Sequence, residues 1–181
     1  TRLTRRARCS VLTVPKGANL LLDNLLVCVD FSQNSAFAME KALNLARLNG
    51  STSVVYSQHI YQVPPGHSTT GKPFATVAGI MKKVAMKRHK EFMKPLNTRD
   101  LTLTPIFTLD RREDPTRVIN QTASSIQADL VVVGSKGRTR AAAIFMGSFA
   151  EKLVQDESAV PLMVVKEKDE VMNVIAALKK L

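Results

Sequence analysis

Apolar positions along this chain follow two different rhythms. Short unbroken runs such as Leu25 to Val29 (LLVCV) and Leu130 to Val133 (LVVV) have no polar residue at alternate places. Runs of that length, rich in β-branched residues, predict strands buried on both faces. Ser53 to Ile60, Leu101 to Leu109 and Leu162 to Val165 read as three more strands. Between them the period becomes helical. Ser32 is an N-cap for a helix from Gln33 to about Leu48, striped by Ala36, Phe37, Leu43 and Ala46 and stopped by Asn49-Gly50. A second helix covers roughly Ala75 to Leu96, with Gly79 weakening its start. Asp114-Pro115 opens a third as N-cap and first helical residue, with Val118, Ile119, Thr122 and Ile126 along one side. Gly147-Ser148 opens a fourth, whose Phe149, Ala150, Leu153 and Val154 share a face, and Asp169 to Leu181 forms a last amphipathic helix. Gln62 to Pro73, with three prolines and no period, is a loop. Strands and helices in alternation predict βαβ units. The expected fold is α/β, a parallel sheet with helices on both faces.

Composition narrows the function classes. The chain has 181 residues, 45% apolar and 23% charged, the size and balance of one globular domain. No apolar run reaches the eighteen or more residues of a membrane span; Asp23 and Asn24 interrupt the best candidate. Cys9 and Cys28 form neither a disulfide framework nor a metal pattern, and no signal peptide is visible, so the expected compartment is the reducing cytoplasm. The formal net charge of +11 raises the question of nucleic acid. Its basic residues sit in three clusters, Arg2 to Arg8, Lys82 to Arg99 and Lys136 to Arg140. The second, KKVAMKRHKEFMK, alternates with apolar residues at helical spacing and reads as a solvated helix face. With no zinc-finger spacing, no RNP-like motif and 5% aromatics, nucleic acid is not the expected partner.

The stretch richest in chemistry follows the Leu130 run. Gly134, Gly137, Gly147 and Ser148 fit G-x2-G-x9-G-S. Glycines there permit left-handed backbone and let amide N–H groups approach an anion, and a helix start adds unpaired donors. The guest that suits this is a phosphate. The same residues also permit a plain reading, since Ser148 and Glu151 make an S-x-x-E cap and Gly134 ends a strand. Over Leu25 to Lys166, including VCVDFSQNS, PLMVVK and this glycine spacing, the chain resembles the ATP-binding branch of the universal stress protein family.

That resemblance implies an open parallel five-stranded Rossmann-like sheet of the adenine nucleotide alpha hydrolase-like type, with strand order 3-2-1-4-5. The switch point then lies between the first and fourth strands, where open α/β sheets bind ligands. It further implies an adenine-nucleotide site, ATP or ADP with Mg²⁺ as a companion. Asp30 would accept hydrogen bonds from the nucleoside, although an Asp at this place also bonds the start of the next helix. The Ile60 backbone would meet the adenine, and Val133 and Gly134 would lie along the ribose. Gly137, Gly147 and Ser148 would surround the phosphates, and Ser135, Arg138 and Phe149 complete the expected binding set. Lys136, Arg138 and Arg140 have no fixed place in the motif, so they either pair with phosphate oxygens or stay solvated. Ala150 departs from the family's frequent small hydroxyl residue, which puts triphosphate preference in doubt.

No P-loop, no SGGxDS, no H-E-x-x-H and no spaced histidine ligands occur, so no catalytic or metal residue is assigned. The expected function is an adenine-nucleotide-binding regulatory protein of the stress response. The alternatives are a weak Mg-dependent ATPase on the same site and a ligand-free module acting through its basic surface. Thr1 to Gly17 aligns without gaps to Glu151 to Glu167, matching Leu3 with Leu153, Leu12 with Leu162, Val14 with Val164 and Lys16 with Lys166. The expected organisation is therefore tandem. Residues 1–17 are the terminal strand remnant of a preceding repeat, 18–24 a linker, 25–167 the universal stress protein domain and 168–181 a C-terminal helix. Family dimers pair their terminal edge strands antiparallel, which predicts a homodimer or pseudo-dimer through Leu162 to Val165, with Val11 to Val14 lying along that edge.

Overall fold

The computed structural model describes residue 7 and residues 9–135, 148–155 and 160–166. In chain order the strands are β1 (Val11–Thr13), β2 (Asn24–Cys28), β3 (Val54–Tyr61), β4 (Thr102–Leu109), β5 (Leu130–Gly134) and β6 (Leu162–Val165). The helices are α1 (Gln33–Leu48), α2 (Phe74–Met93), α3 (Pro115–Ser125) and α4 (Ser148–Gln155), and a short 3₁₀ turn (His67–Thr70) interrupts the loop before α2. The expected helix Asp169 to Leu181 lies outside the described residues, as do Gly137, Arg138 and Gly147.

One six-stranded sheet runs in the order β1-β6-β5-β2-β3-β4. The pairs β2–β3, β2–β5, β3–β4 and β5–β6 are parallel, while β1 runs antiparallel to β6. The sheet is thus mixed and six-stranded, where an all-parallel five-stranded one was expected. The difference lies in β1, and its cause is the edge of β6, whose free N–H and C=O groups require partners. Val11 faces Val164, Leu12 faces Met163 and Thr13 faces Leu162. The Thr13 hydroxyl donates to the Leu162 carbonyl at 3.1 Å, and the Lys166 N–H donates to Ser10 Oγ at 3.1 Å. The expected antiparallel placement on this edge is observed for Val11 to Thr13 against Leu162 to Val164, within a single chain.

Alternation along the central strands sorts their side chains into two cores. Leu25, Val27, Leu130 and Val132 pack beneath α1 against Ala38, Met39, Ala42, Leu43 and Ala46. Leu26, Val131 and Val133 face the other way, against Ile119 and Ala123 of α3 and Ala150 and Leu153 of α4. Each fully buried Leu, Ile or Val contributes roughly 1.5–3 kcal/mol of transfer free energy. The helix starts follow local chemistry. Ser32 Oγ accepts from the Ser35 N–H at 3.2 Å, and Asp114 accepts from the Arg117 N–H at 3.2 Å with Pro115 just inside α3. At the opposite end of the sheet, Asp129 Oδ2 accepts from the N–H groups of Asp23 and Asn24, aligning the starts of β2 and β5.

Candidate functional site

β2 and β5 are neighbours whose onward connections diverge. The chain leaves β2 through α1 towards β3 and leaves β5 through α4 towards β6. Loops that part in this way open a crevice beyond the strand C-termini. A cavity of about 220 Å³ occupies it. Asp30, Ile60, Val133, Gly134 and Ser135, five of the residues expected at a binding site, all line this one cavity. Ser148 and Phe149 begin α4, and the next residue, Ala150, belongs to the same wall. Gly137, Arg138 and Gly147 lie outside the described residues.

Asp30 builds the turn into α1. Its Oδ1 accepts from both the N–H and the hydroxyl of Ser32, at 3.0 and 2.5 Å. Between them Phe31 takes a left-handed backbone, φ 65°, a region that a bulky residue enters only under tertiary constraint. Its ring stacks on His59 at 4.1 Å between centroids, and the Arg88 guanidinium covers it at 5.0 Å. His59 is buried, and its Nδ1 lies 2.7 Å from the Val29 carbonyl. A carbonyl only accepts, so Nδ1 carries the proton. These contacts hold the end of β2 and the end of β3 in one arrangement.

Gly134 ends β5, as the plain reading has it, but without the left-handed backbone expected of its glycine. It is absent from the glycines with positive φ. Its need is space: a Cβ there would stand 2.8 Å from the carbonyl carbon and oxygen of Asn34. The start of α1 presses on the end of β5, and only glycine admits that approach.

Among the described residues, two that line the cavity each carry a buried polar atom without a partner. Gln58 and Ser135 are each 1% exposed, and both Gln58 Oε1 and Ser135 Oγ lack hydrogen bonds. An orphaned buried acceptor or hydroxyl costs about 1–3 kcal/mol, a cost that a polar partner at either atom would remove. Cys28 also belongs to the wall, and burial pushes its thiol up to about 12, although some of its surface remains accessible.

A wider cavity, about 500 Å³, adjoins the first through Asp30, His59, Ile60 and Pro115, and extends to Arg88 under α2. The basic cluster on α2 therefore has two sides. Lys82, Lys83, Lys87 and Lys90 are exposed, as its spacing implied, whereas His89 turns inward, with Nε2 2.8 Å from Ser57 Oγ. Burial holds the His89 pKa below its ordinary 6.5. Among the described residues no set of three His, Cys, Asp or Glu side chains is grouped to hold a metal, and no helix is long and apolar enough to cross a membrane. Sequence reasoning missed Gln58, Arg88 and His89. The signal for Gln58 was the run Ser57-Gln58-His59 inside an otherwise apolar strand.

The geometry has relatives. Residues 22–166 match the model of the universal stress protein family. An uncharacterized protein, C167.05, of Schizosaccharomyces pombe is 26% identical over 140 residues, 77% of this chain. The chain spans about a fifth of that relative's length, 22%. A universal stress protein of Thermus aquaticus is 27% identical over 153 residues, covering 81% of this chain and 100% of that protein. Among solved structures, hypothetical protein MJ0577 superposes with a TM-score of 0.66 at 21% identity, over 81% of this chain and 97% of that one, which shows a shared fold. A family match across residues 22–166, on a sheet with this strand order and crevice, means that the chain belongs to the universal stress protein family.

Proposed function

We propose that this chain binds an adenine nucleotide, ATP or ADP, in the crevice between β2 and β5 and acts as a regulatory protein of the stress response. The observation that carries this reading is the single cavity shared by Asp30, Ile60, Val133, Gly134 and Ser135, at the point where the chain's connections diverge. Its apolar wall suits a flat base, and its unpartnered Gln58 and Ser135 atoms supply the few polar groups that fix orientation. On this reading Gly137, Arg138, Gly147, Ser148 and the start of α4 receive the phosphates, whose oxygens would carry any Mg²⁺. The protein acts by binding; turnover, where it occurs, is slow and uses no dedicated catalytic side chain. Residues 1–17 belong to a preceding repeat, and β1 stands in for the partner strand of a dimer, a reading supported by the antiparallel pairing on β6.

Native mass spectrometry of freshly purified protein reports bound nucleotide and oligomeric state together. Calorimetry then compares the wild type with Gly147→Val, which puts a side chain where phosphate is expected. ATP binding by the wild type and its loss in the folded variant support the site; equal binding refutes it. The exposed lysines of α2 favour a second reading, an interaction module working through its basic surface. A salt-dependent shift with nucleic acid and no ATP binding would select that reading.

A further inference from the structure

The amide of Gln58 sits in a hydrogen-bond setting that permits one orientation. Gln58 belongs to β3, in register with Cys28 of β2, and both residues line the cavity. Its Nε2 donates to Thr122 Oγ1 at 2.7 Å and to Thr108 Oγ1 at 3.1 Å. The Thr122 hydroxyl has one proton, and it donates that proton to the Val118 carbonyl one turn back, at 3.0 Å. Towards Gln58, Thr122 can therefore only accept. The group facing it must be the NH₂, and a flipped amide would set two acceptors against each other. The Oε1 is thereby assigned as an acceptor, and it has no partner although Gln58 is 1% exposed. Ser135, equally buried, lines the same cavity just past the end of β5, and its hydroxyl also lacks a partner.

From this arrangement we infer that Gln58 reads the base, its Oε1 accepting a hydrogen bond from the 6-amino group of adenine. The inference rests on the adenine-nucleotide reading above and adds to it a side chain that discriminates between purines. A 6-amino group donates to a fixed acceptor, whereas a 6-oxo group in the same pose presents a second acceptor. A site whose polar atom is held in one orientation rejects the mismatched analogue, because both acceptors lose their water without gaining a partner. Thr122 is the positioning residue. It touches Gln58 and holds the orientation of the amide.

The test titrates ATP and ITP, which carries a 6-oxo group in place of the 6-amino group, into the full chain by calorimetry. Wild type should bind ATP about tenfold or more tightly than ITP. Gln58→Met, similar in volume and without polar atoms, should bring the two affinities together. Thr122→Val should narrow the ratio by releasing the amide to turn over, and Thr122→Ser should restore it. The Thr122 pair keeps the test decisive if Gln58→Met does not fold. An ATP-to-ITP ratio unchanged in folded Gln58→Met, or in Thr122→Val when Gln58→Met cannot be made, overturns the inference. Equal binding of ATP and ITP by wild type overturns it too, while leaving nucleotide binding intact. Binding of neither overturns the underlying reading as well.

Discussion

Gly134 and Asn34 approach so closely that a Cβ on the glycine would stand 2.8 Å from the carbonyl carbon and oxygen of the asparagine. The contact joins the C-terminal end of β5 to the first turn of α1, the two elements that flank the crevice. Backbone is less able to yield than a flexible side chain, so Gly134→Ala should force α1 outward. Overpacking of this kind costs about 1–3 kcal/mol. Urea denaturation should show a lower midpoint with an unchanged slope. An unaltered midpoint would mean that α1 moves aside freely and that the contact does not hold the crevice.

His89 should impose a pH dependence on stability. Burial keeps its folded pKa below the 6.5 of an unfolded histidine, with Nε2 held against Ser57 Oγ. As pH falls through 6.5 the unfolded chain takes up the proton first, so stability declines there. The decline ends once the folded imidazole also titrates, and above pH 6.5 the residue contributes no slope. Comparing urea midpoints from pH 8 down to about pH 5, wild type should lose stability more steeply than His89→Gln. Parallel profiles would assign the acid sensitivity to other groups.

β1 protects an edge. Deleting residues 1–16 removes the strand paired with β6 and also the carbonyl of Ala7, which accepts from Lys166 Nζ at 2.7 Å. The bared N–H and C=O groups of β6 are then open to another chain. Sedimentation velocity should show a larger species for the truncated protein than for the full chain at equal concentration. In the full chain the amides of Val11 to Thr13 should exchange more slowly than those of the following segment. Uniformly fast exchange there would contradict the pairing.

The two thiols should differ in reactivity. Cys9 is exposed, whereas burial raises the Cys28 pKa to about 12, leaving almost no thiolate at neutral pH. One equivalent of a thiol reagent should react quickly, and the second only slowly until the protein is denatured. Because Cys28 forms part of the cavity wall, saturating ATP should slow its residual modification further. Fast labelling of both cysteines in the folded protein would show that the cavity opens more readily than its geometry indicates.

The sequence by itself determined most of the described elements, while their order in the sheet was implied only by the family resemblance. The bounds of α1 and of β6 were legible because each has a strong local cause: Ser32 and Asn49-Gly50 at the ends of one, a short apolar run after Pro161 for the other. Asp114-Pro115 was legible for the same reason. The glycine spacing and the strand–helix rhythm pointed to the crevice, and Asp30, Ile60, Val133, Gly134 and Ser135 do meet there. Tertiary structure alone decided what these residues do for one another. Gly134 is glycine because Asn34, a hundred positions earlier, leaves no room for a Cβ, and no local pattern records that distance. Gln58 gained its fixed acceptor from Thr122, which lies on a helix two crossovers away. Periodicity reports which face of an element is buried, since that depends on neighbours within a few residues. Which groups meet on that face depends on chain segments brought together by folding.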